Sequence, residues 1–362
     1  MPSLFIPRLV NDAFGDPGLF VDFCDERRAL LFDLGDLGRL MPRELLRLSH
    51  VFVTHAHMDH FGGFDQLLRI ILGRKANIVV FGGPGFLDQV EHKLRAYTWN
   101  VAHRYDELII EAREFAADAD IPCARFSSRH GFEREPCAVL PHSGDVIHEE
   151  ATFRVRARLV DHGIPCLAYA IEEKARVNID KDRLVAEGLG TGQWLRTLKH
   201  AVLTGADDET PLAVEWRDRH GEHTITRTIG ELRDLILDVT PGQRVGYVTD
   251  LRYTEANVAT LEQLLAGVDR LFIESVFLDE DREHGLKKNH LTARQAGLIA
   301  RRVGAGSVVP FHFSPRYTDR GDEVETEMLV AWSDADVPDE AANGTAPSRP
   351  PDARNTRDSY AD

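Results

Sequence analysis

The chain has 362 residues, 43% hydrophobic and 28% charged, which suits one large globular core or two modest ones. A formal charge of −16 excludes broad electrostatic attraction to a polyanion, so any nucleic acid must be met by a local basic patch. No apolar run is long enough to cross a bilayer, and no basic stretch precedes an apolar one at the amino terminus. A cytoplasmic protein with no membrane partner is therefore expected.

In chain order, Leu19 to Phe23 and Ala29 to Phe32 are short apolar runs separated by charged residues, and read as antiparallel strands. The second ends on Asp33, either a strand-end turn residue or a group standing behind a site. Pro42 to Leu48 reads as a short helix. Val51 to Val53 reads as a buried strand, and it delivers Thr54-His-Ala-His-Met-Asp-His60. His55 and His57, two residues apart, project the same way and can share one metal ion. Asp59 and His60, turned to the other side of the loop, suit a second cation nearby. Gly62 and Gly63 then predict a sharp turn, and Phe64 to Leu72 a helix.

Ile78 to Phe81 is a further strand and Phe86 to Asn100 has helical periodicity, whereas Val101 to Glu150 is weakly patterned. His103, His130, His142 and His148 have no neighbouring donor at ligand spacing, so surface or loop roles are expected for them. Cys24, Cys123, Cys137 and Cys166 form no Cys-x-x-Cys pair. They are expected to be buried thiols, with neither a disulfide framework nor a thiolate metal site. Metal would then be held by histidine and carboxylate.

Val155 to Tyr169 alternates as a strand and breaks at His162, a candidate third nitrogen on the first metal. Residues 172–200 are polar, glycine-containing and of mixed charge, as suits a protruding arm, and 206–233 read as an acidic elaboration rather than a second domain. Arg244 to Asp250 is an apolar strand that delivers a carboxylate able to bridge two cations. Leu271 to Phe277 buries Glu274, which needs a partner. His290 begins a helix from Leu291 to Val303, and Ser307 to Tyr317 is another strand ending in a histidine, His312. Past about Ser333 large apolar residues are scarce. Residues 1–332 are thus expected to form one domain and 333–362 a disordered polar tail.

Together these residues resemble the metallo-β-lactamase superfamily and, within it, the ribonuclease Z branch, endonucleases that trim the 3′ ends of precursor transfer RNA. The resemblance covers most of residues 29–320. It implies an α/β fold, an αββα sandwich of two mixed sheets flanked by helices. It also implies two Zn2+ ions, with Mn2+ or another divalent metal as the alternative. His55, His57 and His162 would hold one ion, Asp59, His60 and His312 the other, and Asp250 would bridge. Asp59 would also orient or deprotonate the attacking water. His290 is the candidate proton donor, with Glu274 orienting it, and Ser314, Arg316 and Tyr317 are candidate substrate contacts.

Two segments separate this branch from lactamases and glyoxalases: His290-Leu-Thr-Ala-Arg-Gln-Ala and His312-Phe-Ser-Pro-Arg-Tyr. Val177 to Lys199 looks like the family's arm, which grips the transfer RNA elbow, although here the arm is close to neutral. The family's Asp-Cys-Gly-Glu-Gly-Thr is replaced by Asp33-Leu-Gly-Asp-Leu-Gly38. The expected function is a zinc-dependent phosphodiesterase cleaving the 3′ trailer of precursor transfer RNA, and the resemblance suggests a homodimer. The alternative, favoured by the acidic charge, is a small-molecule hydrolase on the same scaffold: a cyclic-nucleotide phosphodiesterase, lactonase or sulfatase.

Overall fold

The computed structural model of the protein describes residues 4–334 except 25, 116–118, 142, 143 and 220. Eight strands form the first sheet in sequence order: Phe5–Leu9, Leu19–Phe23, Ala29–Phe32, Leu48–Phe52, Asn77–Gly82, Ile109–Glu114, Cys123–Ser127 and Arg134–Pro136. The first three are antiparallel neighbours. From Ala29–Phe32 to Ile109–Glu114 the pairing is parallel, so these strands end on the same edge and Asp33 arrives beside Thr54.

The second sheet runs Val308–Phe311, Arg270–Glu274, Arg244–Val248, Pro165–Glu173, Phe153–Asp161, Val146–Glu149. Its first three strands are parallel and end together at Phe311, Glu274 and Val248. The long hairpin Phe153–Asp161 with Pro165–Glu173 turns at His162, on that same edge.

Alternation along the strands sorts the core into layers. Val51 and Val53 pack with Leu67, Leu68, Val90 and Leu94 beneath the helices Phe64–Ile71 and Phe86–Arg95. Phe32, Phe52 and Phe81 point the other way and meet Tyr169, Tyr247 and Phe311 between the sheets. Ile273, Val248 and Leu271 lie under Glu255–Leu265, Ala293–Arg302 and Gly321–Ser333. The result is the expected helix, sheet, sheet, helix sandwich. Each inter-sheet aromatic removed from water contributes roughly 1.5–3 kcal/mol, so the two sheets are held face to face mainly by their own side chains.

Three expectations need correction. Phe5–Leu9, and four strands within the weakly patterned stretch from 101 to 150, are additional elements. Cys123 and Cys137 are disulfide-bonded and Cys24 is exposed, so only Cys166 is a buried thiol. The spacing of 14 residues gave no sign of that pair; the strand Cys123–Ser127 and its return through Arg134–Pro136 bring the two together.

The arm does not stop near residue 200. It continues through the hairpin Pro211–Asp218 with Gly221–Thr228 and the helix Ile229–Ile236, and returns by Leu237–Pro241, which pairs with Ala175–Ile179. This excursion has a core of its own, including Leu184, Trp194, Leu198, Val214 and Leu232. Of the tail expected over 333–362, Ser333 still belongs to the helix Gly321–Ser333, and everything from 335 onward lies outside the described residues, as does His142. Among the described residues no helix is long and apolar enough to cross a membrane.

Candidate metal centre

The loop from Thr54 to Phe61 leaves its strand and closes into one helical turn, Met58–Phe61, with His57 at the cap position. Neither Gly62 nor Gly63 has a positive φ, so the expected sharp turn is something else, a close approach. A Cβ at Gly63 would lie 2.2 Å from the Gly35 carbonyl. Instead the two loops lock together, with Leu34 N donating to His60 O at 2.8 Å and Gly63 N donating to Leu34 O at 2.7 Å.

All seven expected metal donors converge on this edge. His55, His57, His162 and Asp250 form one group whose ligand atoms lie within 4.8 Å of one another, and Asp59, His60 and His312 form another. Asp250 stands between them, its Oδ2 3.6 Å from His55 Nε2 and 3.4 Å from both His60 Nε2 and His162 Nε2. Asp59 Oδ2 is 3.4 Å from both His60 Nε2 and His312 Nε2. His55 Nε2 and His57 Nδ1 face each other at 2.8 Å.

Three of the imidazoles, His60, His162 and His55, are aimed from behind. Asp33, fully buried, accepts from Thr54 N at 2.7 Å and from its Oγ1 at 3.0 Å, and lies 3.0 Å from His60 Nδ1 and 3.1 Å from the Tyr247 hydroxyl. That leaves His60 Nε2 turned to the cluster. His162 Nδ1 meets the Asn289 carbonyl at 2.9 Å, and His55 Nδ1 lies 3.1 Å from Thr54 Oγ1 and 3.6 Å from the Cys166 thiol. Of the four non-glycine residues with positive φ among the described residues, three are in this assembly: Asp33, Asn289 and His312. Such backbone costs about 1–3 kcal/mol per residue; Asp33 and His312 are held in it at strand ends, and Asn289 as the cap that ends the helix Arg282–Lys288.

The electrostatics follow from burial and proximity. Burial drives the His55 pKa down to about 2, helped by His60. At His60 burial again opposes charge, yet Asp250 and Asp33 hold the pKa well above its ordinary value. His312 is raised to about 10 by Asp250 and Asp59 against the effect of burial. Despite their burial, Asp250 and Asp59 are both lowered by His60 and His312. The carboxylates that draw protons onto these imidazoles would draw a divalent cation in the same way.

The fit to metal has a direct sign. His60 Nε2, Asp250 Oδ1 and His312 Nδ1 are buried with no hydrogen-bond partner, and the last two, only 3.1 Å apart, are out of line for a bond. Buried polar atoms are normally satisfied. Imidazole and carboxylate donors crowded around one bridging aspartate satisfy one another through cations, and seven exceed what one tetrahedral ion can use.

Glu274 finds its partner in His290, whose Nδ1 is 2.9 Å from Oε2, while Oε1 accepts from Leu251 N and Leu291 N. The His290 ring stands 4.9 Å from that of His162 and 5.6 Å from that of His312. Burial lowers the His290 pKa, but the charge and hydrogen bond of Glu274 together with the charge of Asp250 outweigh it, so the net direction is upward. A cavity of about 400 Å³ opens beside the cluster, with Phe14, Asp16, Phe277, Lys288 and Ser314 in its wall.

Two expected substrate contacts stand elsewhere. Tyr317 is buried with its hydroxyl on Asp281, and Arg316 pairs with Asp281 at 3.0 Å, so neither lines this cavity. Thr54, Cys166, Asn289 and Tyr247 were not anticipated; none carries a sequence signal, because each acts through a neighbour supplied by the fold.

Comparison with known proteins agrees with this architecture. A family model described as the metallo-beta-lactamase superfamily matches residues 16–79, and one described as a beta-lactamase superfamily domain matches 207–313. The fold is shared with human tRNase Z, short form, at a TM-score of 0.52 and 16% identity over 86% of this chain and 93% of that one. It is shared as well with the metallo-beta-lactamase fold protein YhfI from Bacillus subtilis, at a TM-score of 0.52 and 14% identity over 91% and 94%. Fold and clustered donors together define a metal-dependent hydrolase.

A ribonuclease Z from Deinococcus radiodurans is 31% identical over 302 residues, 80% of this chain and 83% of that protein. One from Thermobifida fusca is 29% identical over 309 residues, 83% and 79% respectively. The chain belongs to the ribonuclease Z family of the metallo-β-lactamase superfamily.

Proposed function

We propose that the protein is an endoribonuclease that cleaves the 3′ trailer of precursor transfer RNA, using two zinc ions held by His55, His57 and His162 on one side, Asp59, His60 and His312 on the other, and Asp250 between. Bound there, divalent cations supply positive charge for the phosphoryl oxygens and a nucleophile ionised near neutral pH. The chain's own part is positioning. Asp59, the most exposed of the carboxylates in the cluster at 40%, borders the cavity and is placed to orient the attacking water. His290 also faces the cavity, and Glu274 fixes its Nδ1, leaving Nε2 to protonate the departing 3′ oxygen. Ser314 in the cavity wall can donate to the phosphate.

The observation that carries this reading is the pairing of a seven-donor cluster with the Glu274–His290 dyad at one cavity, in a chain 31% identical to a protein named ribonuclease Z. The rival, a hydrolase of small esters, draws on a different fact. The excursion from Ala175 to Pro241 carries nine Lys and Arg against twelve Asp and Glu, which is not the charge of an RNA-gripping arm.

One experiment separates them: cleavage of a 3′-extended transfer RNA and of a small aryl phosphodiester, by the full chain and by a variant in which a short turn replaces the excursion. Loss on the RNA alone, with the small ester hydrolysed as before, supports RNA docking by the excursion. Undetectable RNA cleavage by the intact chain beside brisk ester hydrolysis would transfer the assignment to the rival.

A further inference from the structure

A second group of metal-type donors lies away from the catalytic edge. His50, His148 and Glu150 place a ligand atom each within 4.8 Å of one another. His50 sits on the strand Leu48–Phe52, five residues before His55, roughly 15 Å back along the strand direction. Its ring follows Phe52 into the layer between the sheets. His148 comes from the opposite sheet, on the strand Val146–Glu149. The two rings stand 4.2 Å apart at an angle of 46°, under Phe52 and Phe153. Two imidazoles from facing sheets thus meet in a layer otherwise filled by aromatic and aliphatic side chains.

The spacing suits coordination. His148 Nε2 and Glu150 Oε1 are in hydrogen-bond contact at 2.9 Å, and donors each about 2.1 Å from one tetrahedral ion sit roughly 3.4 Å from one another, so an ion would replace that contact with only a small parting of the two groups. Arg28 grips Glu150 from outside, with one Nη 2.7 and 2.8 Å from its two oxygens, the kind of outer contact that fixes a carboxylate ligand. The other guanidinium close by, Arg113, has its own carboxylate, Glu111 at 2.6 Å. An open cavity of about 340 Å³, bordered by Arg113, Leu140 and His148, gives a route from solvent.

We propose that His50, His148 and Glu150 form a non-catalytic site for a divalent cation that accepts imidazole and carboxylate together, such as Zn2+, Co2+ or Ni2+, and that this ion ties the two sheets at the end opposite the catalytic edge. A hydrolase of this architecture would then carry one more metal than its chemistry uses. The inference does not rest on the proposed substrate or on the number of catalytic ions.

The test is the zinc content of chelator-stripped full-length protein dialysed against a zinc buffer, for the wild type, His148→Gln and Glu150→Gln. The expected result is one equivalent fewer in each variant, with hydrolysis of a small aryl phosphodiester within twofold of wild type. Equal zinc content in all three, with unchanged melting curves, overturns the proposal. Should either variant fail to fold, zinc-soaked wild-type crystals decide: an anomalous peak enclosed by His50, His148 and Glu150 supports the site, and none there refutes it.

Discussion

The two halves of the sandwich supply the candidate metal centre in opposite ways. The first half places four donors, His55, His57, Asp59 and His60, on a single loop of six residues. The second supplies His162, Asp250 and His312 one at a time, each after a different strand and spread over 150 residues of chain. A dense loop can be read as chemistry before any fold is known, but it cannot close a centre alone. Asp250, in the second half, approaches His55, His60, His162 and His312. The scattered donors depend on the parallel strands Arg244–Val248, Arg270–Glu274 and Val308–Phe311 ending together.

The comparison breaks if the loop proves self-sufficient. Replacing Asp250 with Ala should therefore have the largest effect, with metal content falling by at least one equivalent and phosphodiester hydrolysis falling by about three orders of magnitude or more. Retention of full metal content in that variant, measured by elemental analysis, would show that the loop holds its ions without the second half.

A smaller effect is expected behind the loop. Asp33→Asn keeps the shape but puts an amide where His60 Nδ1, Thr54 and Tyr247 now meet a carboxylate. Metal affinity should drop about 10- to 100-fold by chelator competition, the usual cost of losing a contact that orients a ligand. An unchanged affinity would mean that the strand ends aim His60 unaided.

The smallest effect is expected far from the centre, in a buried charge cluster of the second sheet. Burial raises the Glu172 pKa, but hydrogen bonds from Arg156 and Arg154 outweigh it and hold the carboxyl below its usual range. Bonding from Arg156 does the same for Asp145. Stability from these groups is present at neutral pH and is lost as the pH falls through their lowered folded values. Glu172→Gln should cost about 1–3 kcal/mol at pH 7 and flatten the acid limb of the melting-temperature profile, with metal content unaltered. An unchanged acid limb would assign the acid sensitivity to other carboxylates.

The same contrast explains what was legible in the sequence. The loop was, because its donors are local and its apolar strand is uniform. The strand-end donors were, because each follows a short apolar run. The strands Ile109–Glu114 and Cys123–Ser127 were not: charged residues such as Glu111, Arg113 and Arg125 interrupt their apolar pattern, since each strand has one face partly in solvent. The full extent of the excursion was hidden for a related reason. Its hairpin, Gly221–Thr228 above all, alternates between exposed and half-buried positions and never builds an apolar run. His148 was set aside although Glu150 stands two residues further on, because its second imidazole, His50, becomes a neighbour only through sheet packing.

The neck of the excursion has a consequence for how the chain can change over time. Glu173 and Gln243 meet across the second sheet, with Glu173 N donating to Gln243 O at 2.8 Å and Gln243 N to Glu173 Oε2 at 2.9 Å. Everything between them enters and leaves through one ribbon, Ala175–Ile179 with Leu237–Pro241. The catalytic edge lies at the other end of the nine-residue strand Pro165–Glu173, roughly 27 Å along it. The excursion is thus a cassette with both terminals at one socket. It can be shortened, exchanged or recharged by recombination at its two ends, which meet at one place in the fold, while the edge that gathers the donors keeps its own inheritance.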